Sequence, residues 1–493
     1  PNNLPEGAIK VTYDIKSVSR NSSKQPVMVF RMLQNGVRTD FNTSGAKTEM
    51  WDNFMGSPSV YYVFSVPQDG ITKPADFNAS ASAYLRSIWN GTATGGGKGT
   101  LTGPDADGYY TVTLTGATIP DSAVMLTGGL GYTYSPATTM PLTQTNLTDY
   151  PVTAATADGT GGSATLTAGM PNKTGGLIVI APDSQVVASA GAAAGGTGGA
   201  YTGRRQIVED KRCNNCHQEL GAFNDSAFHA GQRNDGSTCA WCHTPNRTSS
   251  GWSADSTNFI HGIHGGLKRT NKFTWHAAST TDGFWSIGYP GVLKNCEACH
   301  IPGSYDFSNA ASKAAAGLSG STDNRLFRYS ATGIFNGTVG TVNLAKSGSN
   351  CTTVGTTVQD AVSAFALSPF VTKDNATSYG LGFTWVNPSA TSASTLCDPD
   401  NGFAKVTVAA GATRESSATS LLETPTATVC FACHDDSTTV KASMGMTAKA
   451  HMLANGGKIY APRGAATPVQ SETCLTSCHG PSSAASIKAV HSK

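Results

Sequence analysis

Four pentads of one form punctuate the second part of this 493-residue chain: Cys213-Asn214-Asn215-Cys216-His217, Cys239-Ala240-Trp241-Cys242-His243, Cys296-Glu297-Ala298-Cys299-His300 and Cys430-Phe431-Ala432-Cys433-His434. With 12 Cys and 11 His in 493 residues, a shuffled chain would hold ~0.006 of them, so the four are no accident. Two thiols at this spacing add to the two vinyl groups of a haem, and the adjoining histidine then reaches the iron from one face. A zinc ribbon also uses Cys-x-x-Cys pairs but needs no histidine after each second cysteine. A thioredoxin-like redox motif occurs once, near a βαβ pattern, and not four times in a loop-rich segment.

A fifth segment, Cys474-Leu475-Thr476-Ser477-Cys478-His479, has one extra residue between its thiols. It reads as a fifth haem attachment, the alternative being a small disulfide loop. Ten cysteines are then used, and Cys351 and Cys397 remain; in an oxidising compartment they are expected to pair with each other.

Neither cysteine nor histidine occurs before Cys213, so the chemistry is confined to the C-terminal part. Five histidines belong to the motifs, leaving His229, His261, His264, His276, His451 and His491. Six suffice to give each of five irons a second axial ligand, which saturates it and suits outer-sphere electron transfer. His261 and His264 lie three apart on one expected helix, around Asn258–His264, too close to serve one iron from opposite faces. They are expected to serve two adjacent haems. His276, in a polar insertion, is the expected spare. A second helix is expected around Ala448–Asn455.

The rest of the chain reads differently. Ile9, Val11, Tyr13 and Ile15 alternate with polar residues, and β-prone runs recur at Val27–Met32, Val60–Val66, Tyr109–Leu114, Ala123–Leu126 and Leu177–Ile180 between turn signals. This predicts an N-terminal all-β domain over 1–188, an antiparallel sandwich or a split barrel. Ser189–Gly203, almost all Ala, Gly, Ser and Thr, reads as a linker. Residues 204–493 read as a loop-rich, sparsely helical pentahaem cytochrome c domain with a 301–428 insertion, a decorated loop or small β lobe with strand-like pieces at Thr338–Leu344 and Gly382–Val386. Only 13% of residues are charged and the net charge is +2, which argues against nucleic acid as a partner and suits an exported protein. The longest apolar runs, such as Leu177-Ile178-Val179-Ile180-Ala181, are far too short for a transmembrane segment, and Pro1 does not open a signal peptide. The chain is read as a mature, exported form. Asp105-Ala106-Asp107-Gly108 and Asp398-Pro399-Asp400-Asn401-Gly402 resemble fragments of calcium loops without the full ligand set, and ordinary turns are the competing reading.

The motif order carries a resemblance. The first pentad, Phe228-His229-Ala230-Gly231, the second pentad, His261-Gly262-Ile263-His264-Gly265 and Tyr289-Pro290-Gly291 before the third pentad resemble the pentahaem domain of the OmcA/MtrC family of outer-surface multihaem cytochromes. So do His434-Asp435-Asp436, His451-Met452, Asn455-Gly456-Gly457, Cys478-His479-Gly480-Pro481 and Lys488-Ala489-Val490-His491 near the end. The resemblance implies electron export to extracellular acceptors such as metal oxides, flavins or electrodes, location at the cell's outer surface, and bis-histidine ligation by His229, His261, His264, His451 and His491. Family members typically repeat the β/pentahaem pair, carry ten haems and keep an N-terminal lipid-anchor cysteine. This chain reads as a half-length form without that cysteine, and its 301–428 insertion has no family role assigned to it. Its partners are then other cytochromes or copies of itself, as a filament subunit or as a single surface cytochrome. The alternatives from other classes are a multihaem reductase of a small oxyanion such as nitrite, for which no Cys-x-x-Cys-Lys is present, and an adhesive or assembly module in the β domain.

Overall fold

The computed structural model describes residues 9–34, 36–41, 57–89, 98–133, 179–180, 184–187, 201, 203–217, 236–249, 252–269, 273, 275, 284–305, 325–330, 340–347, 350–354, 384–386, 405–408, 421–434, 439–440, 445–459, 472–481 and 483–492.

Two open sheets form the N-terminal part. The first is built from β1 (Ile9–Arg20), β2 (Pro26–Gln34), β3 (Val37–Thr39), β6 (Thr100–Thr102), β7 (Tyr110–Thr113) and β9 (Val179–Ile180), in the order β6-β7-β2-β1-β9 with β3 also against β2. The second runs β10-β8-β4-β5, from β4 (Ser57–Ser65), β5 (Ala79–Tyr84), β8 (Met125–Thr133) and β10 (Ser184–Val187). Neither sheet closes into a barrel, so the sandwich is the form adopted. All pairings are antiparallel except β1 with β9, a departure from the purely antiparallel expectation.

The alternation in β1 explains how this core is reached. Tyr13 faces inward, but a bulge between Ile15 and Ser17 inserts one residue and moves the inward parity to Val18 and Arg20. Met28, Phe30 and Met32 on β2 and Val60, Tyr62 and Phe64 on β4 fill the space between the sheets. Gly128 on β8 lies where the sheets come closest, since a Cβ there would stand 2.7 Å from Val18 and 2.9 Å from Met28. Tyr201, near the end of the expected linker, joins the same core. The turn at Asp105 is an ordinary one: its carboxylate accepts from the Asp107 and Tyr109 amides. Asp398–Gly402 lies outside the described residues.

Beyond Tyr201 the chain folds into short helices and turns: α1 (Asp210–His217), α2 (Cys239–Cys242), α3 (Ser256–Gly265), α4 (Pro425–Phe431), α5 (Ala448–Ala454) and α6 (Ile487–Val490). Two-stranded ribbons accompany them, β11 (Thr248–Ser249) with β12 (Trp252–Ser253) and β19 (Thr439–Val440) with β20 (Met446–Thr447). Within 301–428, β14 (Gly340–Ser347), β15 (Asn350–Val354), β16 (Thr384–Val386) and β17 (Lys405–Val408) form a small antiparallel sheet. The pair β13 (Arg328–Ser330) and β18 (Leu421–Glu423) forms its neck, where Phe327 and Leu422 bury each other.

The two halves meet through the second pentad. Trp241, between its two cysteines, is 3% exposed and packs with Val63, Phe77 and Met125 on the outer face of the second sheet. Gln68 and Asn246 exchange amide hydrogen bonds of 2.8 and 2.9 Å beside it. Asp76 is buried among Arg204, Arg205 and Arg328, each 3.2–3.3 Å away, and these arginines hold its carboxyl far below the usual carboxylate range against the opposing effect of burial.

Candidate multihaem site

The first motif lies in helix α1, and each of the other four forms a tight turn that brings its histidine amide back onto the first cysteine's carbonyl. The bonds are His243 N to Cys239 O (2.9 Å), His300 N to Cys296 O (2.9 Å) and His434 N to Cys430 O (2.9 Å). In the fifth motif His479 N reaches Cys474 O at 2.8 Å across one more residue, because Cys474–Cys478 winds as a π turn. The wider turn absorbs the extra residue and keeps the first thiol and the histidine in the same backbone relation.

The second set of histidines is positioned by helices. In α3, Asp255 caps the N-terminus by accepting from Thr257 N (2.9 Å) and Asn258 N (3.3 Å). The helix is longer than Asn258–His264 by two residues at its start and one at its end, because the capping aspartate precedes the apolar pattern that marks it in sequence. Within it, His261 Nδ1 donates to Thr257 O (2.7 Å) and His264 Nδ1 to Ile260 O (2.8 Å). His491 Nδ1 does the same to Ile487 O (2.9 Å) from the end of α6, while His243 and His479 donate to Ala254 O and Ala485 O at 2.8 Å. A carbonyl can only accept, so the proton sits on Nδ1 and each Nε2 keeps its lone pair for a metal. Burial lowers the His300 pKa to about 3, and burial lowers His261 and His217 as well, which favours the neutral, ligating form.

The rings meet in pairs. Centroids are 6.1 Å apart for His217 and His264, 5.9 Å for His261 and His300, 6.1 Å for His434 and His491, and 6.1 Å for His451 and His479. Two imidazoles on opposite faces of one metal, each nitrogen about 2 Å from it, put their centroids about 6 Å apart. Every pair joins one motif histidine to one histidine from outside the motifs, and the two histidines of α3 face different motifs. Beside His243 stand Phe259, 4.2 Å from its ring, and Trp275, at 6.2 Å. His229 and His276 lie outside the described residues, as do Cys397 and the side chain of Cys351. The spacing and the Nδ1 pattern fit covalently held haem.

The thiols also converge. Cys213 is within hydrogen-bonding reach of Cys299, while burial first and the neighbouring Cys474 second push the Cys430 thiol up to about 12. Gly265, which ends α3, stands where a Cβ would collide with Cys433 Sγ, and Gly262 is pressed against Phe273. Arg269 binds the carbonyls of Phe431 (2.6 Å) and Ala432 (2.9 Å), fixing the chain just before Cys433. Gly265 and Trp241 lie inside motifs that do not announce these contacts, and Arg269 lies in none.

The family model for the outer membrane cytochrome MtrC/MtrF-like proteins, domains II/IV, matches residues 205–361 and 384–492, more than half of the chain. The chain belongs to this MtrC/MtrF-like family. Within 301–428 the match takes in everything but 362–383. Among solved structures, MtrC from Shewanella baltica OS185 is 16% identical, covering 62% of this chain and 39% of that one with a TM-score of 0.31. The outer membrane decahaem cytochrome OmcA is 12% identical, covering 98% of this chain and 49% of that one with a TM-score of 0.37. This chain thus spans less than half the length of either. No curated protein matches it. As an MtrC/MtrF-like cytochrome it is of the class that holds haem c covalently, and no described helix is long and apolar enough to cross a membrane.

Proposed function

We propose that this MtrC/MtrF-like chain carries electrons at or outside the cell surface through five haem c groups. They are attached through Cys213/Cys216, Cys239/Cys242, Cys296/Cys299, Cys430/Cys433 and Cys474/Cys478. The observation that carries the reading is the set of four imidazole pairs at 5.9–6.1 Å. The axial pairs are His217 with His264, His300 with His261, His434 with His491 and His479 with His451, and His243 takes His229. Haem supplies the one-electron redox couple; the chain supplies two neutral imidazoles per iron, leaves no open coordination position, and so favours electron transfer over substrate chemistry.

Packing between the motifs supports an order for the route. Helix α1, which carries the first motif, packs against Gly236–Thr238 just before the second motif and against Cys296–Ala298 of the third. Helix α3 joins the third to the fourth, holding His261 toward His300 and Gly265 against Cys433, and Glu472, two residues before Cys474 of the fifth, binds the start of α4, which carries Cys430. The path therefore runs second, first, third, fourth, fifth, with other cytochromes or copies of the chain at its ends and an extracellular acceptor beyond. Electron paramagnetic resonance of the oxidised protein tests the ligation: five low-spin ferric centres are expected, and a high-spin centre would refute full bis-histidine ligation. Light scattering on concentrated protein tests assembly into filaments.

A further inference from the structure

Glu423 ends β18 with its side chain fully buried, two residues before α4 begins. Its Oε1 has no hydrogen-bond partner among the described residues, and its Oε2 meets only the Thr428 hydroxyl at 3.5 Å, the outer edge of a hydrogen bond. Charged groups face it from three sides. Asp255 caps α3, Arg269 follows α3, and Arg328 stands opposite on β13. Both cations are engaged elsewhere: Arg328 with Asp76 (3.3 Å) and Asp255 (3.0 Å), Arg269 with the Phe431 and Ala432 carbonyls. On the far side Glu472 is occupied by the Thr424 hydroxyl and the Thr426 and Ala427 amides. Glu423 is thus a buried carboxyl facing another carboxylate. Burial first, and Asp255 second, push its pKa up to about 8.

Its position gives this consequence. Glu423 sits between the cap of α3, which bears His261 and His264, and the start of α4, which bears Cys430. We infer that Glu423 is a proton-binding site whose occupancy is coupled to the oxidation state of the haems held by α3 and α4. The inference rests on the haem ligation proposed above. When one of those irons passes from ferric to ferrous it gains one electron and the site loses one positive charge. In a buried, weakly screened setting this raises the proton affinity of Glu423, which takes one proton from solvent to form its O–H bond and releases it on reoxidation. Linkage is reciprocal, so the midpoint potential must fall as pH rises through the range in which Glu423 ionises.

Redox titration of the holoprotein between about pH 6 and pH 9, followed optically, tests this against Glu423→Gln, which keeps the shape and cannot ionise. The wild type should show midpoints that fall with pH, and the variant should lose part of that slope while keeping its low-spin spectrum. Reduced-minus-oxidised infrared spectra of the wild type should gain a protonated-carboxyl band, absent in the variant. An unchanged slope in a haem-loaded, low-spin variant, or no carboxyl band in the wild type, would overturn the inference and leave the ligation intact. A wild-type protein without low-spin haem bands would overturn both.

Discussion

The described residues of 9–133, with Tyr201, enclose an apolar core, with Val18, Met28, Phe30, Val60, Tyr62, Val112 and Leu126 sealed between two sheets. The region from Arg204 onward is built otherwise. Its helices run from 4 to 10 residues, shorter than the ~12–15 an isolated helix needs to be even marginally stable. Its buried aromatic residues include Trp252, Phe273 and Phe431, the last standing between the two cysteines of the fourth motif. The difference teaches that one half specifies its fold by apolar patterning and the other by covalent chemistry at fixed points along the chain.

The strongest way to break that comparison is to withhold haem. Expressed without cytochrome c maturation, the chain should lose protection against proteolysis from Arg204 onward while residues 9–133 stay protected; equal protection of both halves would mean the second needs no haem to fold. Next in size are truncations of the two kinds of core. Phe30→Ala should cost about 3–5 kcal/mol in the sandwich, read by chemical denaturation, and leave the haem spectrum unchanged. Trp241→Ala should loosen the contact between the halves, seen as faster hydrogen exchange in both β4 and the second motif.

Gly265→Ala is smaller in volume but sharper in meaning. The added methyl would collide with Cys433, so attachment of the fourth haem should fall, measured as a lower haem-to-protein ratio or a red-shifted α band from a single thioether. Smallest is a pH effect. The folded-state pKa of Glu423 is raised, so its contribution favours folding at low pH and is lost as pH rises through about 8. Stability should decline across that range, and Glu423→Gln should flatten the decline.

How much of this could be read in advance follows the same division. The proposed attachment sites stand out in the sequence because thiol, thiol and histidine fall within five or six consecutive residues. β1 was legible from alternation and β2, β4, β7 and β9 from β-prone runs, whereas the run expected at Ala123–Leu126 meets only the first two residues of β8; the parity switch at Ser17 was not legible, since a bulge depends on the partner strand. β5, Ala79–Tyr84, escaped because its run of Ala and Ser has little β-branched or aromatic content. The partner of each motif histidine was out of reach: His491 meets His434 from 57 positions further along the chain, and no local rule encodes that. The same holds for Asp76, whose arginines come from the end of the linker and the neck of the β lobe.

The account stands on five covalent haems, and the fifth, on the π turn of Cys474–Cys478, is its most exposed member. Intact-mass measurement of the denatured holoprotein tests it most directly. The account predicts a mass equal to the polypeptide plus five haems. Four haems, with Cys474 and Cys478 free or joined to each other, would contradict it.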